Sequence, residues 1–332
     1  MCRNITAIKL VVLLYLLLAS SMGLANKSTK SLVILYDNDF NSDNKFYQAA
    51  YNYFQTNPST FDQTILRNPK SLLEITHYIN NKFSNNSLSE IHLVTHASHW
   101  SGLSIPIEDG FPHTSSLMLN SYLSKNTSHR LDSDVYSSDI EITIHGCGVG
   151  INVALIHQLG LFFTDQSGLK PRIIAPKGYV FFHNTQLNDD HFEFKRTEIP
   201  IYEIIKPFEQ KMSHRQLAES FKQKYPHAAI DWRKALEYPS IDFDNYALSN
   251  KKRTVVIESY GYTSDIKKFD SLAEYAKKHR NLRKQFEEFH APPEFFSWTI
   301  TETEQANVVK IVATALAVTI FDSSELHAET KE

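Results

Sequence analysis

Short apolar runs recur through the first half of the chain, and each is followed by polar residues. Runs of this length, rich in Val, Ile and Leu, are typical of strands buried in a parallel sheet. The runs that predict strands are residues 31–36, 63–66, 90–95 and 139–144, with shorter candidates at 172–175 and 179–182.

Helical patterns fill the intervals between these runs. Asn68 and Pro69 supply a helix cap and a proline at the first helical position, and apolar residues then recur at spacings of three and four. These residues are Leu72, Ile75, Ile79 and Phe83. Further predicted helices cover residues 44–54, 115–123 and 151–159. Strands that alternate with helices predict an α/β layer with a largely parallel sheet.

The pattern changes near residue 190. The stretches that predict helices beyond it are residues 215–224, 266–290 and 307–321, and residues 253–258 predict a strand. The last of these helices is apolar, but it is short and carries Lys310, which favours a buried helix over a membrane span. We therefore expect an α/β domain over residues 26–189 and a mixed, mainly helical region over residues 190–332.

The first 25 residues have the layout of a secretory signal peptide. Arg3 and Lys9 precede or border an apolar segment, which ends in small residues before Ala25. The apolar segment is about half as long as the ~20 residues that a membrane-spanning helix needs. We expect cleavage after Ala25, a secreted or periplasmic protein, and no stable membrane span after cleavage.

Composition narrows the function classes. The chain has 332 residues, is 42% hydrophobic and contains only 10 Gly and 12 Pro, which excludes a disordered or collagen-like protein. Its formal net charge of −3 gives no electrostatic reason to expect nucleic acid as a partner. Of the two cysteines, Cys2 leaves with the signal peptide, so the exported chain holds Cys147 as a single thiol.

Two residues whose side chains are common catalytic groups lie just after predicted strands. His96 comes after residues 90–95, and Cys147 comes after residues 139–144 with His145 and Gly146 between. Because the carboxyl ends of parallel strands meet at one edge of a sheet, we expect these side chains to lie close together. A cysteine hydrolase needs a thiolate, an acid–base group and backbone donors for the oxyanion, and a helix beginning after Cys147 would favour the thiolate.

These residues resemble the caspase-like cysteine peptidases, and the gingipain and clostripain types more than the caspases themselves. In that family one apolar strand ends in the catalytic His and a second ends in a small residue and the catalytic Cys, here EIHLVT-His96 and DIEITI-His145-Gly146-Cys147. The separation of about 50 residues is similar to that in caspases. The resemblance covers residues 31–185 and implies a caspase-like three-layer sandwich.

The resemblance implies a secreted thiol protease that hydrolyses protein or peptide substrates without a cofactor. Cys147 would be the nucleophile, His96 the acid–base group, and the backbone N–H groups of Ala97 and Cys147 the oxyanion hole. Ala97 departs from the family's glycine, but it retains the N–H. Asp37, Asp39, His99 and His145 are candidates for lining the substrate pocket.

Two other interpretations of the same residues remain open. His96, His99, His145 and Cys147 together offer the ligand set of a tetrahedral zinc site. Gly146 argues against it, because a turn there would point His145 and Cys147 to different sides. The third possibility is a catalytically silent caspase-like protein that kept the fold as a binding scaffold.

Overall fold

The structure, a computed structural model, describes residues 29–324 apart from short gaps. The gaps are residues 38–44, 86, 127–129, 189–190, 240–246 and 289–290. The predicted signal peptide, its cleavage site and Asp39 lie outside the described residues.

A five-stranded parallel sheet forms the first part of the molecule, in the spatial order β2-β1-β3-β6-β7. Its strands are β1 (Lys30–Leu35), β2 (Asp62–Arg67), β3 (Leu88–Val94), β6 (Tyr136–His145) and β7 (Arg172–Ile174), and a short β4–β5 pair (Ala97–Ser98, Gly102–Leu103) follows β3. The α/β class and the largely parallel sheet are therefore confirmed.

Both faces of this sheet are covered, because successive side chains of its strands point to opposite sides. Leu32 and Ile34 face the helices α2 (Leu72–Lys82), α3 (Ser116–Lys125) and α4 (Val153–Phe162). Val33 and Leu35 face α1 (Lys45–Thr56) and an antiparallel hairpin.

That hairpin consists of β8 (Tyr179–Asn188) and β9 (His191–Ile199). Val180 and Phe182 from β8 are buried with Phe54 of α1 against the parallel sheet. The β8–β9 hairpin therefore shares the outer layer with α1 and lies over the strands that carry the candidate residues.

A second, antiparallel sheet occupies the C-terminal region. β13 (Val308–Asp322) pairs with each of the other three strands: β10 (Ile201–Lys206), β11 (Leu248–Tyr262) and β12 (Ser297–Glu302). The remaining helices are α5 (His214–Lys224), α6 (Trp232–Ala235), α7 (Thr263–Ile266), α8 (Leu272–Lys278) and α9 (Arg280–Glu288). α5 and α6 pack on one end of the sheet, and α8 and α9 pack nearer the other.

The prediction of a mainly helical C-terminal region is corrected by this sheet. Residues 307–321, predicted as a buried helix, form most of β13, and the predicted helix over 266–290 is split among α7, α8 and α9. β-Branched residues alternate with small alanines in β13, a pattern that suits a strand pressed between neighbours. Among the described residues, no helix is long and apolar enough to cross a membrane.

Candidate functional site

The ends of β3 and β6 meet at one edge of the parallel sheet. Val94 pairs with His145, and the backbone N–H of Thr95 donates to the carbonyl of His145 at 3.3 Å. A methyl group placed on Gly146 would lie 2.7 Å from the Cβ of Ala97, so this position requires glycine. The structure therefore brings the segments that carry His96 and Cys147 together at one edge.

His96 lies in an aromatic setting provided by α1. Its ring centroid is 4.8 Å from that of Phe46 and 5.2 Å from that of Tyr47. The Tyr47 hydroxyl also accepts a hydrogen bond from the backbone N–H of His96 at 2.9 Å. α1 thus fixes both the backbone and the ring of His96.

The thiol of Cys147 points under the β8–β9 hairpin. Its Sγ donates to the carbonyl of Val180 at 3.6 Å, within the range for a sulfur hydrogen bond. Burial raises the pKa of Cys147 to about 11, and the Val180 contact and Arg253 offset only part of this rise. The thiol is therefore protonated near neutral pH, whereas a catalytic cysteine needs a lowered pKa.

The turn after Cys147 is built on glycines. Gly148 has φ +65, and its N–H donates to the carbonyl of Gly178 at 2.7 Å. A short 3₁₀ turn at Val149–Ile151 comes before α4, which begins at Val153 with Asn152 as its cap. The helix therefore does not begin directly after Cys147, and the predicted stabilisation of a thiolate by its positive end is absent from this geometry.

His145 lies in a buried hydrogen-bonded chain. Its Nδ1 accepts from Nε of Arg196 at 2.9 Å, and its Nε2 is 3.1 Å from Nδ1 of His92. Nε2 of His92 is 3.2 Å from a carboxylate oxygen of Glu90, whose other oxygen accepts from Ser59 at 2.8 Å. These hydrogen-bonded side chains lead from Arg196 on β9 through His145 on β6 to His92 and Glu90 on β3.

The hydrogen bonds and charges within this row of side chains change the pKa values of Glu90 and His145. Burial, with the charges of His92 and Arg196, holds the pKa of His145 well below its ordinary range. The hydrogen bond from His92 is the main reason that the pKa of Glu90 falls to about 2. At neutral pH the ends of the chain, Glu90 and Arg196, are therefore charged while His145 between them is neutral.

His99 belongs to a different buried cluster, where the first sheet meets the second. Its Nδ1 is 3.0 Å from a carboxylate oxygen of Glu203 on β10, and Arg253 of β11 and the Thr319 hydroxyl contact the other oxygen. Burial alone would raise the pKa of Glu203, but these partners outweigh it and lower the pKa to about 2. Glu203 therefore stays ionised and joins the second sheet to the β4–β5 turn that follows β3.

The structure does not bring the candidate zinc ligands together. His145 is occupied by His92 and Arg196, and His99 by Glu203. Across the described part of the chain, no group of three or more His, Cys, Asp or Glu residues could hold a metal ion. Asp37, a candidate pocket residue, pairs with Arg67 at 2.9 Å.

A cavity of about 350 Å³ opens beside the glycine turn. It is lined by Lys177, Gly178, Glu198, Ile199, Pro200, Ile201 and Tyr202. One oxygen of Glu198 accepts from the backbone N–H groups of Lys177 and Gly178, at 2.9 and 2.7 Å. The carboxylate is therefore held in place at the wall of the cavity.

Several residues around this edge were not predicted from the sequence. His92, Arg196, Glu203 and Arg253 all come from distant parts of the chain or from the opposite face of a strand. A signal existed for His92: it alternates with Glu90 along the predicted strand, which places both polar side chains on one face. The arginines carried no such signal.

One curated relative is similar to part of the chain. It is the capsular polysaccharide type 8 biosynthesis protein cap8A of Staphylococcus aureus, 25% identical over 150 residues. The similarity covers 43% of this chain and 64% of that protein, so the chain spans less than two thirds of the relative. No protein-family model matches the chain, and neither does any solved structure.

The prediction of a cysteine-type endopeptidase is corrected on this finding. The relative is named for capsular polysaccharide biosynthesis and not for peptide hydrolysis. The protonated thiol of Cys147 agrees with the correction, because a thiol with a pKa of about 11 is a poor nucleophile at neutral pH.

Proposed function

We propose that this protein is an exported, catalytically silent binding protein for a carbohydrate of the cell surface. The parallel sheet and the elements that cover its two faces would form a caspase-like sandwich, and the carboxyl edge of this sheet would serve for binding. The observation that carries the proposal is the state of Cys147, whose thiol donates to the carbonyl of Val180 where a nucleophile would have to be free and ionised.

The cavity beside the glycine turn supports a small polar ligand. Its volume of about 350 Å³ falls within the usual range for ligand pockets, which are mostly apolar with a few fixed polar groups. Pro200 and Ile201 give an apolar wall, the Glu198 carboxylate gives an acceptor, and Lys177 is the cationic residue of the lining. A sugar ring offers both an apolar face and hydroxyl groups that match this combination.

The similarity to a capsular polysaccharide biosynthesis protein supports the same ligand class. The chain shares 25% identity with that protein over part of its length, so the proposal takes from it only the kind of ligand.

The test is isothermal titration of the purified protein with oligosaccharides prepared from bacterial capsular polysaccharide. We expect saturable binding that Lys177→Ala weakens by tenfold or more, because a charged donor at the cavity wall is lost. Lys251→Ala is the matched control, since Lys251 is also an exposed lysine but lies on β11. Absence of binding, or equal binding by both variants, would overturn the proposed ligand site.

The silent thiol has its own test. Treatment of the native protein with iodoacetamide near neutral pH should label Cys147 far more slowly than in denaturant, because the thiol is protonated and donates to the carbonyl of Val180. Mass spectrometry follows the label, and Cys147→Ala should bind oligosaccharide as the wild type does. Rapid labelling of the native protein, or loss of binding in a folded Cys147→Ala variant, would contradict a silent role.

A further inference from the structure

The hydrogen-bonded chain beneath the hairpin has only one arrangement of protons that satisfies every contact. The Nε of Arg196 carries a hydrogen and must donate, so Nδ1 of His145 is the acceptor. A neutral His145 then carries its proton on Nε2 and donates to Nδ1 of His92. His92 in turn carries its proton on Nε2, facing the Glu90 carboxylate.

A further proton therefore has no free acceptor on either imidazole ring. If it binds Nδ1 of His145, two donors face each other across the 2.9 Å contact with Arg196. If it binds Nδ1 of His92, that N–H faces the N–H on Nε2 of His145, and the contact between the two histidines fails unless the His145 proton moves to Nδ1 and creates the conflict with Arg196. In both cases His145 loses one of its two contacts.

The surroundings of the chain do not relieve this conflict. Phe54 and Phe182 pack against the His145 ring at centroid distances of 5.5 and 5.7 Å, and neither accepts a proton. The charged or titratable groups near Arg196 are Tyr53, Cys147, His145 and Glu198, whose carboxylate is 4.0 Å from its guanidinium. Glu90, at the far end, keeps its charge throughout the mildly acidic range.

Arg196 connects the chain to the cavity. It lies on β9 two residues before Glu198, which holds the backbone at Lys177 and Gly178 and lines the cavity wall. A change in the contact between Arg196 and His145 would therefore reach Glu198 at the cavity wall through two residues of β9.

We propose that Arg196, His145, His92 and Glu90 form a pH-sensitive clasp that holds the base of the β8–β9 hairpin on the parallel sheet. Protonation of His145 on Nδ1 breaks the Arg196–His145 contact, loosens the hairpin base and opens the cavity wall at Glu198. As a device that regulates ligand release, the clasp rests on the proposed function; as a structural switch, it does not.

The direction of the effect follows from the buried histidine. The pKa of His145 is lowered by burial and by its charged neighbours in the closed clasp, and returns toward about 6.5 once the hairpin lifts and water enters. The closed form binds fewer protons, so it is favoured above pH ~6.5 and loses ground as the pH falls. The closed-to-open ratio should therefore be lower at pH 5 than at pH 7.5.

The test is hydrogen–deuterium exchange of the wild-type protein at pH 7.5 and pH 5, corrected for the intrinsic pH dependence of exchange. Amides of β8 and β9 should lose protection at pH 5 while those of β1 and β3 keep theirs. Equal loss in both regions would indicate general acid unfolding and overturn the clasp, as would a hairpin whose protection does not change.

Three variants make the assignment specific. His145→Asn keeps an oxygen near the Nδ1 position and cannot titrate, so hairpin protection should no longer depend on pH in this range. Arg196→Gln removes the charged donor from a partly exposed side chain and should give the acid behaviour already at pH 7.5. His77→Asn, on an exposed position of α2, should behave as the wild type. A wild-type response in Arg196→Gln would overturn the clasp even if His145→Asn fails to fold.

Exchange requires no ligand, so the two proposals fail separately. A hairpin that opens at pH 5 in a protein that binds no oligosaccharide supports the clasp and refutes the proposed function. Oligosaccharide affinity that is equal at pH 7.5 and pH 5 despite hairpin opening refutes the regulatory role alone.

Discussion

One strand of the parallel sheet, β1, and one of the second sheet, β11, are buried in different ways. In the parallel sheet, Leu32 to Leu35 are all fully buried because helices cover one face and α1 with the hairpin covers the other. In the second sheet, β11 alternates between buried and exposed residues from Val255 to Tyr262, so one face meets solvent there. The comparison teaches that neighbouring positions are equivalent in β1 and opposite in β11.

The largest effect is expected where the two sheets are joined. Glu203→Ala would leave Arg253 and His99 without their buried carboxylate and should lower the free energy of unfolding by about 3–5 kcal/mol. Urea denaturation followed by circular dichroism measures this loss. A loss below about 1 kcal/mol would show that the buried pair is not what couples the sheets.

The same carboxylate gives a pH dependence with a definite sign. The pKa of Glu203 is about 2 in the folded protein, below its ordinary value of 4.5, so its contribution is complete above pH 4.5 and disappears as the pH falls toward 2. Glu203→Gln should therefore flatten the acid limb of the stability curve relative to the wild type.

Alanine substitution at neighbouring positions tests the burial contrast itself. In the parallel sheet, Ile34→Ala and Leu35→Ala should each cost about 2–5 kcal/mol because both side chains are fully buried. In β11, Ile257→Ala should cost a similar amount, whereas Val256→Ala, at an exposed position, should stay within about 0.5 kcal/mol. Chemical denaturation of the four variants measures these changes in the free energy of unfolding. A large loss for Val256→Ala would mean that the outer face of β11 is covered.

A smaller effect is expected at the cap of α4. Asn152 accepts from the backbone N–H of Leu155 and donates to the carbonyl of His99, both at 2.9 Å. Asn152→Ala should reduce the free energy of unfolding by about 1–2 kcal/mol. Asn152→Asp keeps the cap but loses the donor to His99, so thermal denaturation of both variants separates the two contacts.

The smallest effect should come from the exposed ion pair on the second sheet. Nζ of Lys310 is 2.8 Å from a carboxylate oxygen of Glu258, but both side chains are substantially exposed to solvent. Lys310→Ala should change the free energy of unfolding by about 0.5 kcal/mol or less. A change comparable to that of Glu203→Ala would contradict the contrast between buried and exposed pairs.

The parallel sheet was predictable because its strands are short stretches rich in Val, Ile and Leu and its connections are helices with clear periodicity. β13 was not, since residues 308–316 are mostly apolar and, apart from Lys310, alternate only weakly in polarity, so the same sequence was compatible with a buried helix. The strand conformation of these residues depends on pairing with β10, β11 and β12, which lie up to about a hundred residues away in the chain.

The candidate site was predictable only in position. Strand ends placed His96 and Cys147 at one edge, and the structure puts their segments there. The state of the thiol could not be read from the sequence, because it depends on the Val180 carbonyl of a hairpin that folds back over the turn. The partners of His145 and His99 are similarly distant, since Arg196 and Glu203 lie beyond the predicted domain boundary.

The position of β13 has a consequence for biosynthesis. All three of its partners precede it in the chain, so β10, β11 and β12 leave the ribosome before the strand that pairs with each of them exists. The parallel layer, whose strands are complete by residue 174, can begin to fold much earlier. Until residue 322 has been added, the nascent chain carries three strands with unpaired edges, which is the interval in which a holding chaperone would be of most use.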